Sequence, residues 1–518
     1  MIVRRGGGRF LRCGPAVVSL LPPLPRKVLV VLVLVVLMGR SSRAAESVLE
    51  VPTLDPWILL PSSPVTVVVS GKNLESVTGL WTSFPAEISG MARVSNDTTT
   101  FQITPRLTNQ AAIGLWSTEG TNGRGEDRLA GFDSIPTVAA APDRTVRTNA
   151  QDLVGPIAVD ARFTALKSDW YRVSVQAGEE WVIEVVSRRI NSPADPFLRI
   201  YDPQGHLVTF VEDTPGLGGD VRWRLIALET GDYQVEVRDS AWGGGVGHRY
   251  RVRVSHEKWD GLEHWWLPEC CRPELPIAEE IEPNNSKSEA QVIPTIPGRV
   301  RGRFSNPGDR DTYRLAPGLD GWVTVLGRTR SLGSPAELRL RWRDSSGKIV
   351  AESGMTEGDE GRLIHRLQKD ESMSLEVLEL NGGGGAEHRY ELEWLQGSPV
   401  GVTATVHHLV CAPGKTIDLK LKVQAGEFKG RLTLSVEGIP AVLAPGEIGT
   451  ERESAVTLKL PESIPSGTTH WFRIGVRGDL GQASFTNSVE TLFGWRKLWS
   501  HGLTPPGRLD GWFRLDVR

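Results

Sequence analysis

Short stretches in which apolar and polar residues alternate, or apolar residues run together, recur along the chain between Gly, Pro, Asp and Asn. Trp170 to Val175, Trp181 to Val186, Phe197 to Tyr201 and Tyr233 to Val237 are of this kind, and such runs predict β-strands. Asp202-Pro203-Gln204-Gly205 predicts a hairpin turn, because proline presets one turn angle and glycine accepts a positive one. Val65 to Leu74 and Ile113 to Gly120 give the same pattern near the start, and Ile417 to Val423, Leu432 to Val436 and Val456 to Leu460 near the end. Turns about ten residues apart without helical periodicity predict an all-β fold of tandem β-sandwich or jelly-roll domains. Gly (56) and Pro (34) together fill about one position in six of the 518, which agrees.

The middle of the chain repeats itself. Asn149-Ala150-Gln151 answers Glu289-Ala290-Gln291, Arg162-Phe163 answers Arg303-Phe304, and Asp169-Trp170-Tyr171-Arg172 answers Asp311-Thr312-Tyr313-Arg314. Ser192-Pro193, Asp202 to Gly205 and His248-Arg249-Tyr250 return as Ser334-Pro335, Asp344 to Gly347 and His388-Arg389-Tyr390. Six anchors in unbroken order imply duplicated domains at 141–256 and 278–396. The remaining boundaries read as an Ig-like or IPT/TIG-like sandwich at 46–138, a Trp/Pro/Cys linker at 257–277, an Ig-like sandwich at 400–490 and a Trp-rich tail at 491–518.

Residues 1–45 read as a signal peptide: six basic residues up to Lys27, an apolar run from Val28 to Met38 too short to span a bilayer, and Ser42-Arg43-Ala44 as a small-x-small cleavage site. Cleavage is expected after Ala44 or Ala45, with an uncleaved anchor as the alternative. Removing the eight basic residues before that point leaves 51 basic against 62 acidic residues, a net charge of −11. A secreted chain of that charge lacks the cationic face that nucleic acid requires, and nothing stable remains to span a membrane. The three cysteines left, Cys270, Cys271 and Cys411, allow one disulfide between Cys411 and a member of the vicinal pair.

Glu280-Ile281-Glu282-Pro283-Asn284-Asn285-Ser286-Lys287, followed by Asp309-Arg310-Asp311-Thr312-Tyr313, resembles the opening of bacterial pre-peptidase C-terminal (PPC) domains. The resemblance covers residues 280–395 and implies a jelly-roll sandwich with calcium between the acidic segment and the Asp-x-Asp-x-Tyr strand. Glu280, Glu282, Asn284, Asn285, Asp309 and Asp311 offer the oxygen ligands that Ca²⁺ takes, six to eight of them at about 2.3–2.6 Å; as ordinary turn residues they would need no ion. The first copy departs from the motif, with Pro142-Asp143-Arg144 in place of Glu282-Pro283-Asn284. Arg144 would repel a cation, so that copy is expected to be metal-free.

The glycine runs ending in His248-Arg249-Tyr250 and His388-Arg389-Tyr390 precede strands, not helices, and so read as hairpin tips and not phosphate loops. Neither a His-Glu-x-x-His nor a Gly-x-Ser-x-Gly motif is present, and His407-His408 reads as a surface or strand-edge pair. Of 17 tryptophans, Trp170, Trp181 and Trp223 read as core. Trp265, Trp266, Trp495 and Trp499 lie outside strand alternation, where rings bind a ligand or pack between domains. Together these features describe a secreted, non-catalytic protein that binds an extracellular protein or polysaccharide, calcium being the one expected cofactor. The alternatives are an accessory of a secreted peptidase and a hydrolase whose site leaves no motif.

Overall fold

A computed structural model describes residues 53–518 apart from 73, 109–110, 122, 272–274, 317–319, 354–359, 370–371, 482, 497 and 499–503. The expected signal peptide and Trp499 therefore lie outside the described residues. The chain is all-β, and its described residues form β-sandwiches built from eight sheets.

In the first sandwich, Thr53–Asp55, Val65–Ser70, Thr98–Pro105 and Ala86–Ser95 form one sheet; Ile58–Leu59, Arg128–Asp133 and Ala111–Gly120 form the other, with Val77–Thr82 and Gly123–Arg124 paired to Ala111–Gly120. Phe101 and Ile103 meet Trp116 and Phe132 across the core. The two central sandwiches have identical strand orders. Thr137–Ala139, Ile157–Arg162, Arg249–Ser255, Glu180–Val186 and Val221–Ile226 face Gln151–Leu153, Asp169–Val175, Gly231–Asp239, Pro196–Tyr201 and Leu207–Glu212. In the second copy Ile277–Glu279, Gly298–Arg303, Arg389–Gln396, Gly321–Arg328 and Arg362–Leu367 face Gln291–Ile293, Arg310–Leu315, Ser374–Glu379, Leu338–Arg343 and Ile349–Glu352. Both Asp-x-x-Gly turns close between the last two strands of that second sheet, with Gly205 and Gly347 at positive φ of 89° and 86°.

The last sandwich pairs Gly401–Ala404, Thr416–Gln424, Glu453–Lys459 and Val442–Ala444 against His408–Cys411, Phe513–Val517, Thr469–Leu480, Leu432–Glu437 and Glu447–Ile448. Its strand Phe513–Val517 comes from the segment read as a tail, running parallel to His408–Cys411 and antiparallel to Thr469–Leu480. Phe513, Leu515 and Val517 enter the core while Arg514 and Asp516 pair on the other side, Nη2 to Oδ2 at 2.7 Å.

Between the sandwiches lies a shared apolar hub. Trp57, Ile113 and Leu115 from the first, Val186 and Ile190 from the second, Trp259 and Leu262 from the linker, and Trp495 and Leu509 from the C-terminal segment form one buried cluster. Trp259 donates its indole proton to Phe132 O at 2.8 Å and its amide to Glu184 Oε2 at 3.0 Å. Trp265–Trp266 is a two-residue strand parallel to Ile113 and Gly114. Trp495, read as either a ligand ring or packing between domains, is fully buried between Trp471 and His407 at centroid distances of 5.8 and 4.0 Å, which fits packing and not ligand binding.

Several other sequence expectations change as well. His407 is buried against Trp495 and is not a surface residue, whereas His408 opens the edge strand His408–Cys411, its Nε2 2.6 Å from Asp516 Oδ2. Cys270, Cys271 and Cys411 form no disulfide: Cys411 belongs to the core of the last sandwich and Cys271 to the hub, with the Cys270 and Cys271 sulfurs 3.6 Å apart. Trp181 is core, but Trp223 is 37% exposed and Trp170 lies half-buried on an outer face against Tyr201.

Burial, reinforced by His408 and Arg514 and opposed by Asp127, lowers the His407 imidazole from the ordinary 6.5 to about 4. A base whose folded pKa is depressed stabilises the fold fully above its unfolded pKa and loses that contribution as pH falls through the folded one. Stability is therefore expected to drop between pH 6.5 and 4 by up to about 3 kcal/mol from this group. His407→Phe should flatten that part of the profile in chemical denaturation across pH; an unchanged profile would exclude His407 as its source.

Candidate metal centre

The strand Arg310–Leu315 lies between Gln291–Ile293 and Ser374–Glu379 and turns Asp311 and Tyr313 into the sandwich, both fully buried. The acidic segment before it is laid along its edge by main-chain bonds. Thr312 N donates to Asn284 O at 2.9 Å, Glu280 N to Arg301 O at 2.8 Å, and Ile281 N to Gln291 Oε1 at 2.9 Å. One oxygen from each of Glu280, Glu282 and Asp311 then falls within 4.8 Å of the others.

Too few protons serve this cluster. Glu280 Oε1 accepts from Asn284 Nδ2 at 3.0 Å, and Glu280 Oε2 from Arg303 N at 2.8 Å. The Tyr390 hydroxyl lies 3.0 Å from Glu280 Oε1 and 2.5 Å from Asp311 Oδ2, and its single proton reaches only one of them. The Tyr313 hydroxyl brings one further proton, with the Tyr390 oxygen at 2.7 Å and Glu280 Oε1 at 3.5 Å as its acceptors. Asp311 Oδ1 and Asn284 Oδ1 are buried with no donor, on residues with 0% exposure. A buried acceptor in this state carries its full desolvation cost. Burial first and the Glu280 charge second push the Asp311 carboxyl up to about 9, and burial raises that of Glu282 as well.

Of the six residues the sequence singled out, three carboxylates converge, and Asn284 lies beside them with its Nδ2 on Glu280 Oε1. Asn285 and Asp309 instead fasten the adjoining turn. Asp309 accepts from Ser305 N at 2.6 Å and Arg310 N at 3.0 Å, and the Asn285 amide, oriented to satisfy both its ends, donates to Asp309 Oδ1 at 2.9 Å. Sequence reading passed over Tyr313 and Tyr390, although both stood in the repeat anchors Asp311-Thr312-Tyr313-Arg314 and His388-Arg389-Tyr390.

The first copy shows the same frame with a different occupant. Trp170 N donates to Arg144 O at 2.8 Å and Ala141 N to Gln151 Oε1 at 2.8 Å, so Arg144 takes the place of Asn284, Ala140 that of Glu280 and Pro142 that of Glu282. Asp169 stands where Asp311 does, with the Tyr171 and Tyr250 hydroxyls 2.7 Å apart and Tyr250 donating to it. The Arg144 guanidinium fills the cluster's position: Nη2 lies 3.2 Å from Asp169 Oδ2, and Nη1 donates to Ala141 O at 2.7 Å. Two carboxylates have been exchanged for a neutral residue and a proline, and an internal cation has taken the site.

Comparison with known proteins gives no family. No protein-family model and no curated protein matches the chain. Among solved structures it is similar to the Bacteroides ovatus mixed-linkage glucan utilisation protein SGBP-B, solved with a mixed-linkage heptasaccharide, at 9% identity and a TM-score of 0.15 over 65% of this chain and 71% of that one. It also matches VesC, a secreted serine protease of Vibrio cholerae, at 11% identity and TM-score 0.13 over 40% of this chain and 50% of that one. An ICAM-5 ectodomain fragment follows at 12% identity and TM-score 0.15, over 84% and 96%. The chain thus spans half the length of the protease, and with scores this low the architecture rests on the sheets described above.

Replacing Arg144 by Gln strips the buried Asp169 of its counter-charge, and breaking such a pair costs about 3 kcal/mol. Chemical denaturation should show that loss for Arg144→Gln and recovery of most of it in Arg144→Gln/Asp169→Asn. A neutral single substitution would contradict the assignment of Arg144 as the internal cation.

Proposed function

We propose that the chain is an exported, non-catalytic binding protein whose linked β-sandwiches present a rigid surface to an extracellular protein or polysaccharide, and that its second repeat is fastened by calcium. The observation carrying this reading is the exchange between the copies: a guanidinium beside Asp169, and three crowded carboxylates with two donorless buried oxygens beside Asp311. Such a donor set is entirely oxygen, which suits a hard divalent ion and not zinc or copper. Glu280, Glu282, Asp311 and the Asn284 carbonyl would hold it.

A bound divalent ion would supply the positive charge that Asp311 lacks and allow all three acids to remain ionised. The chain's own contribution is positional. The main-chain bonds of Glu280, Ile281 and Asn284 bring the acidic segment to the strand, and the paired tyrosines orient the carboxylates from inside the sandwich. Calcium would so determine how residues 277–285, which lead in from the hub, join the second repeat. Export follows from the basic and apolar character of residues 1–45.

Thermal unfolding of the exported chain with and without millimolar calcium tests this. Binding at a thousandfold excess over the dissociation constant stabilises by about 4 kcal/mol, which should raise the melting temperature by several degrees. The exposed substitution Glu282→Ala should weaken calcium at least tenfold. An identical melting curve with and without calcium would sink the metal assignment.

A further inference from the structure

The first sheet of each repeat turns one face outward, and the two copies treat it differently. In the first copy that face is closed by the first sandwich and the linker with matched charges. Arg251 and Arg253 reach Asp133 at 3.1 and 3.2 Å, and Arg189 meets Glu184 at 2.7 Å and Asp220 at 2.8 Å. In the second copy Arg299, Arg328 and Arg362 point outward from alternate positions to the core residues Val300, Val325 and Leu363. The turn Gly507–Leu509 and Arg473 of the last sandwich stand opposite, enclosing a cavity of 260 Å³.

Five guanidinium groups line that cavity, those of Arg299, Arg328, Arg362, Arg473 and Arg508, against the carboxylates of Glu393, Glu490 and Asp510. Two of the three acids are already engaged. Glu490 pairs with Arg362 at 2.6 Å, and Asp510 Oδ1 accepts the amides of Thr491, Leu492 and Gly511 at 2.8, 3.0 and 2.9 Å. Arg508 makes no hydrogen bond or ion pair among the described residues, and Arg473 only lies over the Trp512 ring at 5.3 Å. Arg299, 4% exposed, holds its Nε 3.7 Å from Glu391 with no hydrogen bond. Arg328 faces Glu360 at 4.0 Å, so among the described residues Arg473 and Arg508 are the two of the five without a carboxylate partner, in a partly desolvated place of the kind where an anion binds most strongly.

A second cleft, of 410 Å³, shares Arg299, Arg328, Glu393 and Arg508 with the first and continues past them to Trp265 and Trp266. Guanidinium forks match carboxylate and sulfate oxygens, and at the far end Trp265, packed on the hub, and Trp266, packed on the first sandwich's core, leave an apolar rim for a ring. Resting on the reading of the chain as a binding protein, we infer that these joined clefts take a segment of an acidic polysaccharide. A carboxylate or sulfate group sits among Arg299, Arg328, Arg473 and Arg508, and a neighbouring sugar ring lies against Trp265 and Trp266.

Isothermal titration of the exported chain tests this with four probes: tetragalacturonate, a heparin-type sulfated tetrasaccharide, cellotetraose and tetraglutamate. One of the two acidic sugars should bind, more weakly at 300 mM salt than at 50 mM as expected of ionic contacts, and which one binds identifies the anion. Arg508→Ala and Arg473→Gln should each lower that affinity at least tenfold. Binding of neither acidic sugar, or binding indifferent to both arginine variants, overturns the inference. Cellotetraose bound in their place would leave the binding reading standing while this one fails; tetraglutamate bound as tightly would make the ligand an acidic peptide and overturn the glycan assignment.

Discussion

A charge removed from water must find an opposite charge or pay most of its hydration energy, and this constraint recurs wherever two parts of the molecule meet. Arg251 and Arg253 close on Asp133 between the first sandwich and the first repeat. Arg514, on the last strand, reaches Asp127 of the first sandwich at 2.9 Å and Asp516 at 2.7 Å, and Arg124 adds to Asp127 at 2.6 Å. These groups are almost wholly buried, so each join holds only in the one geometry that matches its charges. Such pairs add little net stability compared with apolar packing, yet losing one partner is costly, which makes them specific fasteners.

Around these fasteners lies the tryptophan hub. Its members come from the first sandwich, the first repeat, the linker and the C-terminal segment, so segments far apart in sequence share one apolar interior. That arrangement explains why the linker and the supposed tail are rich in large rings. They are the filling between sandwiches, and the last strand returns through them to complete the fourth.

The duplication exposes what happens where the matching of charge is left incomplete. In the first repeat Asp169 has Arg144, and the outward sheet face has Asp133. In the second repeat Asp311 faces Glu280 and Glu282, and the cleft against the outward face holds Arg473 and Arg508 of the C-terminal part without a carboxylate partner among the described residues. One sandwich frame has therefore become a joint in one copy and two places short of a counter-charge in the other, the first calling for a cation and the second for an anion.

Much of this was legible in the sequence. Period-two alternation placed Phe197 to Tyr201 inside the strand Pro196–Tyr201 and Ile417 to Val423 inside Thr416–Gln424, because one face of each meets a core. The acids of the metal centre stood in a local motif. What escaped were features made by distant pairing. Phe513–Val517 reads as a tail because its partners lie about 40 and 100 residues upstream, and Trp495 stays open between ligand binding and packing because what buries it, Trp471 and His407, is distant in sequence. The arginine cleft had no signal, since its side chains come from four strands and a turn.

The central claim is that both repeats need a positive charge at one point and that only the first supplies its own. Rebuilding the second in the image of the first, as Glu280→Ala/Glu282→Pro/Asn284→Arg, tests it most directly by calcium titration of the melting temperature. The account predicts a chain that no longer responds to calcium and melts near the calcium-loaded parent, its new guanidinium paired with Asp311. A variant that still gains stability from calcium would contradict it.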